Sequence, residues 1–161
     1  MTIGPLEKSG KISNNKMHRY TNLNGINLIK FFEGFRPKPY VCSGGHLTIG
    51  FGHKVLEHEK FDNISNLEAE SLLRSDLIVA EKSVLRNITS TLSDDQFAAL
   101  VSFTFNMGGG ALQRSTIRQK INYGQYQDAG LELLRWVYAR GKILPGLVER
   151  RKAEHKLFIV N

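Results

Sequence analysis

Residues 40–52 constrain this chain more than any other stretch. They run Tyr40-Val41-Cys42-Ser43-Gly44-Gly45-His46-Leu47-Thr48-Ile49-Gly50-Phe51-Gly52. β-branched and aromatic residues flank a Ser-Gly-Gly turn, which reads as two short strands joined in a hairpin. Small residues such as Gly50 and Gly52 let backbone or ligand approach closely. On both sides of this stretch, apolar residues recur instead at helical spacing. One small hairpin in a helical chain predicts an α+β fold, mostly helical, with a hairpin lobe and a helical lobe.

The helical segments carry their own start and stop signals. Asn24 reads as the N-cap of a first helix with Ile26, Leu28, Ile29, Phe31, Phe32 and Phe35 on its apolar face. Gly34 and Pro37 stop it. Ser65-Asn66-Leu67-Glu68 is a capping box that opens a long pattern through Leu73, Leu77, Val84 and Ile88, suited to joining two lobes. A second box, Ser93-Asp94-Asp95-Gln96, opens a buried helix through Phe97, Leu100, Val101, Phe103 and Phe105, which Gly108-Gly109-Gly110 ends. Residues 115–122 and 125–137 read as shorter helices, 141–146 as a loop around Pro145, and 147–158 as a charged last helix. Residues 1–23 are polar and read as a flexible arm ahead of one domain over residues 24–161.

Composition excludes several classes. A single cysteine rules out a disulfide framework and a multi-cysteine zinc site, and no metal or cofactor is expected. No apolar run is long enough to span a bilayer, and residues 1–21 lack the apolar core of a signal peptide. The first helix lacks a basic polar face, so stable membrane insertion is not expected. The net charge of +7, from 22 basic against 15 acidic residues, predicts attraction to a polyanion: nucleic acid, anionic lipid or acidic wall polymer. Arg114, Arg118 and Lys120 form a basic stretch, but a nucleic-acid module leaves the Gly-rich hairpin without a purpose, and no nucleic-acid partner is expected.

Chemistry-bearing residues gather around the hairpin. Glu33 closes the first helix beside Phe32 and Phe35. Partial burial and the negative end of the helix favour a protonated carboxyl there, which suits a general acid. Within twenty residues the chain adds the Cys42 thiol, the Thr48 hydroxyl and the His53 imidazole, all expected at one edge of the hairpin.

The spacing Asn24-Gly25-x-x-Leu28-Ile29-x-x-x-Glu33-Gly34-x-Arg36-x-x-x-Tyr40, followed by Gly45-x-x-Thr48-Ile49-Gly50-x-Gly52-His53, resembles the phage-type lysozymes, or endolysins, of glycoside hydrolase family 24. The likeness continues through Gln96-Phe97-x-Ala99-Leu100-Val101-Ser102-Phe103-x-Phe105-Asn106-x-Gly108. It ends at Leu144-Pro145-Gly146-Leu147-Val148-x-Arg150-Arg151-x-x-Glu154, so that it spans nearly the whole chain from Asn24 to Phe158.

The resemblance implies a lysozyme-like fold and a muramidase that cleaves the β-1,4 bond between N-acetylmuramic acid and N-acetylglucosamine in bacterial peptidoglycan. It implies a monomer held in the host cytoplasm and released to the wall through a holin-type pore. Its acid, Asp and Thr fall on Glu33, Cys42 and Thr48. Glycoside cleavage needs an acid for the leaving oxygen and a second group across the sugar. Cys42 replaces the commoner Asp and serves as base, as nucleophile or as a group that positions water. Without the resemblance, a lone cysteine reads as a small buried hydrophobe. Thr48 holds water or serves as a strand residue.

His53 is assigned, by resemblance, to a strut with Asp76. Asn106 is either an amide for the substrate's N-acetyl group or part of a helix C-cap. Gly52 joins it as a substrate-contact candidate. Arg150 or Arg151 is expected to approach Glu33, and Trp136 to lie in the core.

Overall fold

The computed structural model describes residues 17–160. α1 (Leu23–Glu33) leads into an antiparallel sheet of β1 (Arg36–Val41), β2 (Leu47–Gly50) and β3 (His53–Lys54), in that spatial order. α2 (Asn66–Asn87) then connects to a helical layer of α3 (Asp94–Met107), α4 (Gly109–Arg114), α5 (Thr116–Asn122) and α6 (Tyr126–Leu133). A second hairpin, β4 (Tyr138–Ala139) and β5 (Lys142–Ile143), precedes α7 (Pro145–Ile159). The expected α+β layout, mostly helical, is what the chain adopts. Among the described residues no helix is long and apolar enough to cross a membrane.

Both capping boxes form as read, with Ser65 and Ser93 each accepting from the N3 backbone and Glu68 and Gln96 reaching back. α2 is the connector. It packs on β2 and β3 of the sheet and on α3 and α4 of the helical layer. Gly50, at φ +67°, fits against this helix, because a Cβ there would sit 3.0 Å from Ala69 Cβ. Most of the core lies around α3, where Phe97, Leu100 and Phe103 are fully buried with Leu112, Ile117 and Phe158. Each such side chain contributes about 1.5–3 kcal/mol of burial.

Several boundaries differ from the sequence reading. The N-cap of α1 is Asn22, whose Oδ1 accepts from Gly25 N at 3.0 Å, while the Asn24 amide donates to Asp95. Of the arm expected over residues 1–23, residues 1–16 lie outside the described residues. From His18 onward the segment is tied down: His18 and Thr21 bond the buried Glu81, and Arg19 bonds the Leu92 carbonyl and Asp94. Phe31, placed on the apolar face, is 80% exposed, because the buried stripe of α1 is narrower, at Gly25, Ile26 and Ile29.

The first hairpin gains a third strand, β3. Gly108 alone ends α3, and Gly109 starts α4 at once. The loop expected at 141–146 is mostly strand and helix. Arg140 and Gly141, at φ +51° and +75°, make the tight two-residue turn of the second hairpin, and Pro145 opens α7 at its first turn.

Candidate active site

Glu33 stands at the last position of α1, where Gly34 (φ +73°) stops the helix and donates to the Lys30 carbonyl. Its side chain is partly buried. Oε1 accepts from Arg150 Nη1 at 2.8 Å. Oε2 points toward Gly52, where a Cβ would stand only 3.3 Å away. Gly52 is exposed and sits at φ +84°. One carboxyl oxygen is therefore fixed, and the other faces a backbone with no side chain to block it.

Arg150 is held from three sides. Its guanidinium lies over the Phe32 ring, its nitrogens reach Ser102 Oγ at 3.4 Å, and Nε is 3.4 Å from Glu154 Oε1. Glu154 is fully buried and accepts from Ser102 Oγ at 2.7 Å. Arg151 Nε lies 2.7 Å from Glu154 Oε2, and Arg151 Nη2 donates to Asn106 Oδ1 at 2.7 Å. Burial pushes the Glu154 carboxyl up and the Arg151 guanidinium down, and each opposes the other's shift by its charge. Two guanidinium and two carboxyl groups thus share one network linking α1, α3 and α7. Of the two arginines expected near Glu33, Arg150 makes the contact and Arg151 instead orients Asn106.

Cys42 begins the turn of the first hairpin. Its N–H donates to the His46 carbonyl, and its carbonyl accepts from Gly45, both at 2.9 Å. The thiol is partly exposed, unlike an inert core cysteine. The Thr48 side chain, then backbone N–H groups at His46 and Gly44, hold the thiol below its ordinary pKa by favouring the thiolate. Thr48 is buried, and its hydroxyl also donates to the His46 carbonyl at 3.0 Å. A hydroxyl has one hydrogen, so Thr48 donates either to that carbonyl or to the sulfur, not to both.

His53 does not join Cys42 and Thr48. The β2–β3 register sets it opposite Ile49, and its ring faces α2. Nδ1 is 2.8 Å from Asp76 Oδ2, and Nε2 is 2.8 Å from Glu59 Oε2. Burial disfavours the imidazolium, but hydrogen bonds to Glu59 and Asp76 outweigh it and raise the His53 pKa. Glu59 is the partner that the sequence reading missed. It lies in a loop with no periodicity to flag it. The buried Glu154 did carry a signal, since Arg150-Arg151-x-x-Glu154 puts three ionisable groups on one helical face. Trp136 packs edge-on against Phe103 with ring centroids 5.3 Å apart, a core contact.

This arrangement, a carboxyl at a helix end followed in the chain by a thiol–hydroxyl hairpin, accompanies a match to the phage lysozyme family over residues 30–154. The chain belongs to that family. An endolysin of Bacillus phage B103 is 43% identical over 137 residues, covering 84% of this chain and 52% of the relative. An endolysin of Acyrthosiphon pisum secondary endosymbiont phage 1 is 38% identical, covering 83% of this chain and 94% of the relative. The chain spans about half the length of the Bacillus phage endolysins it matches.

Among solved structures, a P22 lysozyme variant superposes with a TM-score of 0.82 at 31% identity, covering 88% of this chain and 99% of that one. The muramidase domain of SpmX from Asticaccaulis excentricus gives a TM-score of 0.80 at 31% identity, covering 90% and 100%. The lysozyme family likeness thus extends over the helices and the hairpin alike.

Proposed function

We propose that this chain is a peptidoglycan hydrolase of the lysozyme type, cleaving the β-1,4 bond between N-acetylmuramic acid and N-acetylglucosamine. The observation that carries this reading is Glu33: Arg150 fixes one oxygen, and the other opens toward Gly52. Glu33 is the general acid. The proton on Oε2 passes to the glycosidic oxygen as its bond to the anomeric carbon breaks. Cys42 works from the opposite side of the sugar as the base. Its thiolate takes a proton from water that the Thr48 hydroxyl helps to orient, and that water attacks the anomeric carbon. This route inverts the anomer.

Asn106, with its carbonyl oxygen occupied by Arg151, keeps its amide N–H groups for the acetamido carbonyl of a bound sugar. Under the same reading the protein acts as a monomer, accumulates in the host cytoplasm and reaches the wall through a holin-type pore. The names of its relatives, endolysin and muramidase domain, agree with the substrate class.

Glu33→Gln keeps the shape and the Arg150 contact but removes the proton donor. Turnover on isolated peptidoglycan should fall at least about a hundredfold, the typical scale of a general acid, with an unchanged circular dichroism spectrum. Near-normal lysis by this variant refutes the assignment. Mass and reducing-end analysis of the products identifies the bond, and NMR of the fresh anomer tests the route. Retention would convert Cys42 from base to nucleophile.

A further inference from the structure

The second hairpin carries an apolar patch that the fold does not use. β4 and β5 pack chiefly on each other, and the Leu144 N–H donates to the Val137 carbonyl at the open end of the ribbon. The register sets Tyr138 across from Ile143, so the two side chains share one face. They are 58% and 54% exposed, and the neighbouring Leu144 is exposed as well. Single apolar residues are ordinary on a protein surface, but a contiguous set on a projecting ribbon points to a contact surface.

The charge around this patch has one sign. Residues 133–148 contain Arg135, Arg140 and Lys142 and no carboxylate. Arg140 stands in the turn and Lys142 just after it. Both are exposed, and neither forms an ion pair among the described residues. The carboxylates that flank the stretch are already engaged, Glu132 by Lys120 and Arg135, and Glu149 by Lys152. Two uncompensated cations therefore frame the apolar patch.

We propose that this hairpin docks the protein reversibly on an anionic lipid surface. Tyrosine favours the boundary between headgroups and acyl chains, where its ring is covered and its hydroxyl stays wet. Tyr138 and Ile143 enter that boundary, and the long stems of Arg140 and Lys142 keep their charges level with the lipid phosphates. A phosphate-rich wall polymer would pair with the two cations but leave Tyr138, Ile143 and Leu144 in water. A neutral glycan would cover the tyrosine ring but offer the cations no counter-charge. An anionic lipid surface meets both demands. The docking is peripheral, because strands of two residues are far too short to span a bilayer. It goes beyond the hydrolase reading, since none of these side chains belongs to the Glu33–Arg150 network or to the first hairpin.

Co-sedimentation with vesicles at low ionic strength tests this, with phosphatidylglycerol and phosphatidylcholine mixed in one set and phosphatidylcholine alone in the other. The parent should bind the anionic set far more tightly. Arg140→Gln/Lys142→Gln should bind that set at least about tenfold more weakly, at roughly fivefold per cation near an anionic surface. Tyr138→Ser/Ile143→Ser keeps every charge and should lose about tenfold as well, from apolar area left in water. Tyr138→Ser alone, at a side chain already mostly in water, should show part of the same loss with an unchanged Tm. Turnover of all variants on soluble glycan fragments should match the parent's. A parent that ignores anionic vesicles overturns the proposal. So do serine variants that bind like the parent, which would leave net charge as the whole attraction. A raised KM on glycan fragments with vesicle binding unchanged also overturns it and assigns the hairpin to the glycan.

Discussion

The replacement of His53 by alanine separates a structural role from a chemical one. His53 is 7% exposed and spans from β3 to α2, with its ring edge-on to Phe61. Removing it deletes the charge-assisted hydrogen bonding to Asp76, worth about 1.5–3 kcal/mol. For a domain of this size that corresponds to a fall in Tm of roughly 4–10 °C.

The loss should depend on pH in a defined sense. The folded-state pKa of His53 is raised, so its stabilisation is complete below the unfolded value of about 6.5 and disappears as pH climbs through the folded value. Glu59 is shifted the other way, down, by the Leu56 N–H and then by His53. Its contribution is present above the ordinary carboxylate value of about 4.3 and is lost as pH falls through the lower folded value. Burial raises Asp76, so an ionised Asp76 left without its histidine is a cost to the variant at every pH above its raised folded value. The gap in Tm between parent and variant should therefore be widest between about pH 4.5 and 6.5 and should narrow toward pH 9. Thermal melts followed by circular dichroism across that range measure it. Turnover of the variant at low temperature should stay within a few-fold of the parent. A gap that is independent of pH, or widest at pH 9, refutes the ionic account. Unchanged melting with abolished activity places His53 in the chemistry.

Four other perturbations follow, at Thr48, Cys42 and Gly52 and in ionic strength. Thr48→Val removes the hydrogen bond that lowers the Cys42 pKa, so the acid limb of the pH–rate profile should move upward in pH. Cys42→Asp should remain active and extend the profile to lower pH, because a carboxylate ionises above about pH 4, while Cys42→Ala should be nearly inactive. Gly52→Ala strains a backbone at φ +84° and puts a methyl 3.3 Å from Glu33 Oε2. Rate assays should show a loss of about tenfold or more from this misplacement, beyond any fall in Tm. With a net charge of +7, lysis of whole walls should weaken as ionic strength rises past about 0.15 M, where the screening length is about 8 Å. Cleavage of a short uncharged oligosaccharide should not.

The helical frame was legible because its signals are local. Capping boxes at Ser65 and Ser93 and the stop at Gly34 act within one turn of where they stand, and each element formed there. The cap of α1 was misplaced by two residues because Asn22 and Asn24 are both good caps. Both amides donate to Asp95, and only Asn22 also accepts from Gly25 N. The second hairpin escaped notice because Arg140-Gly141 lacks the usual Asn-Gly chemistry and its strands are two residues each. At the site, Glu33, Cys42, Thr48 and His53 stood out as reactive side chains crowded into one short stretch. That His53 turns to α2 was expected from the resemblance, which named Asp76, but Glu59, six residues further along in a loop, is reported by no short-range pattern. The union of Glu33 with Arg150 spans 117 residues and exists only once α7 has packed on α3.

Positions 33 and 42 are anchored in opposite ways. The carboxyl at 33 is tied through Arg150 to Ser102 and Glu154 in the buried interior, so a change there disturbs three helices. Cys42 depends on a four-residue turn and one neighbouring hydroxyl. A library that randomises both positions should therefore accept almost nothing at 33, yet yield folded proteins with many side chains at 42. Catalytic diversity in this scaffold should collect on the hairpin turn, where a new nucleophile or base can be installed without rebuilding the interior.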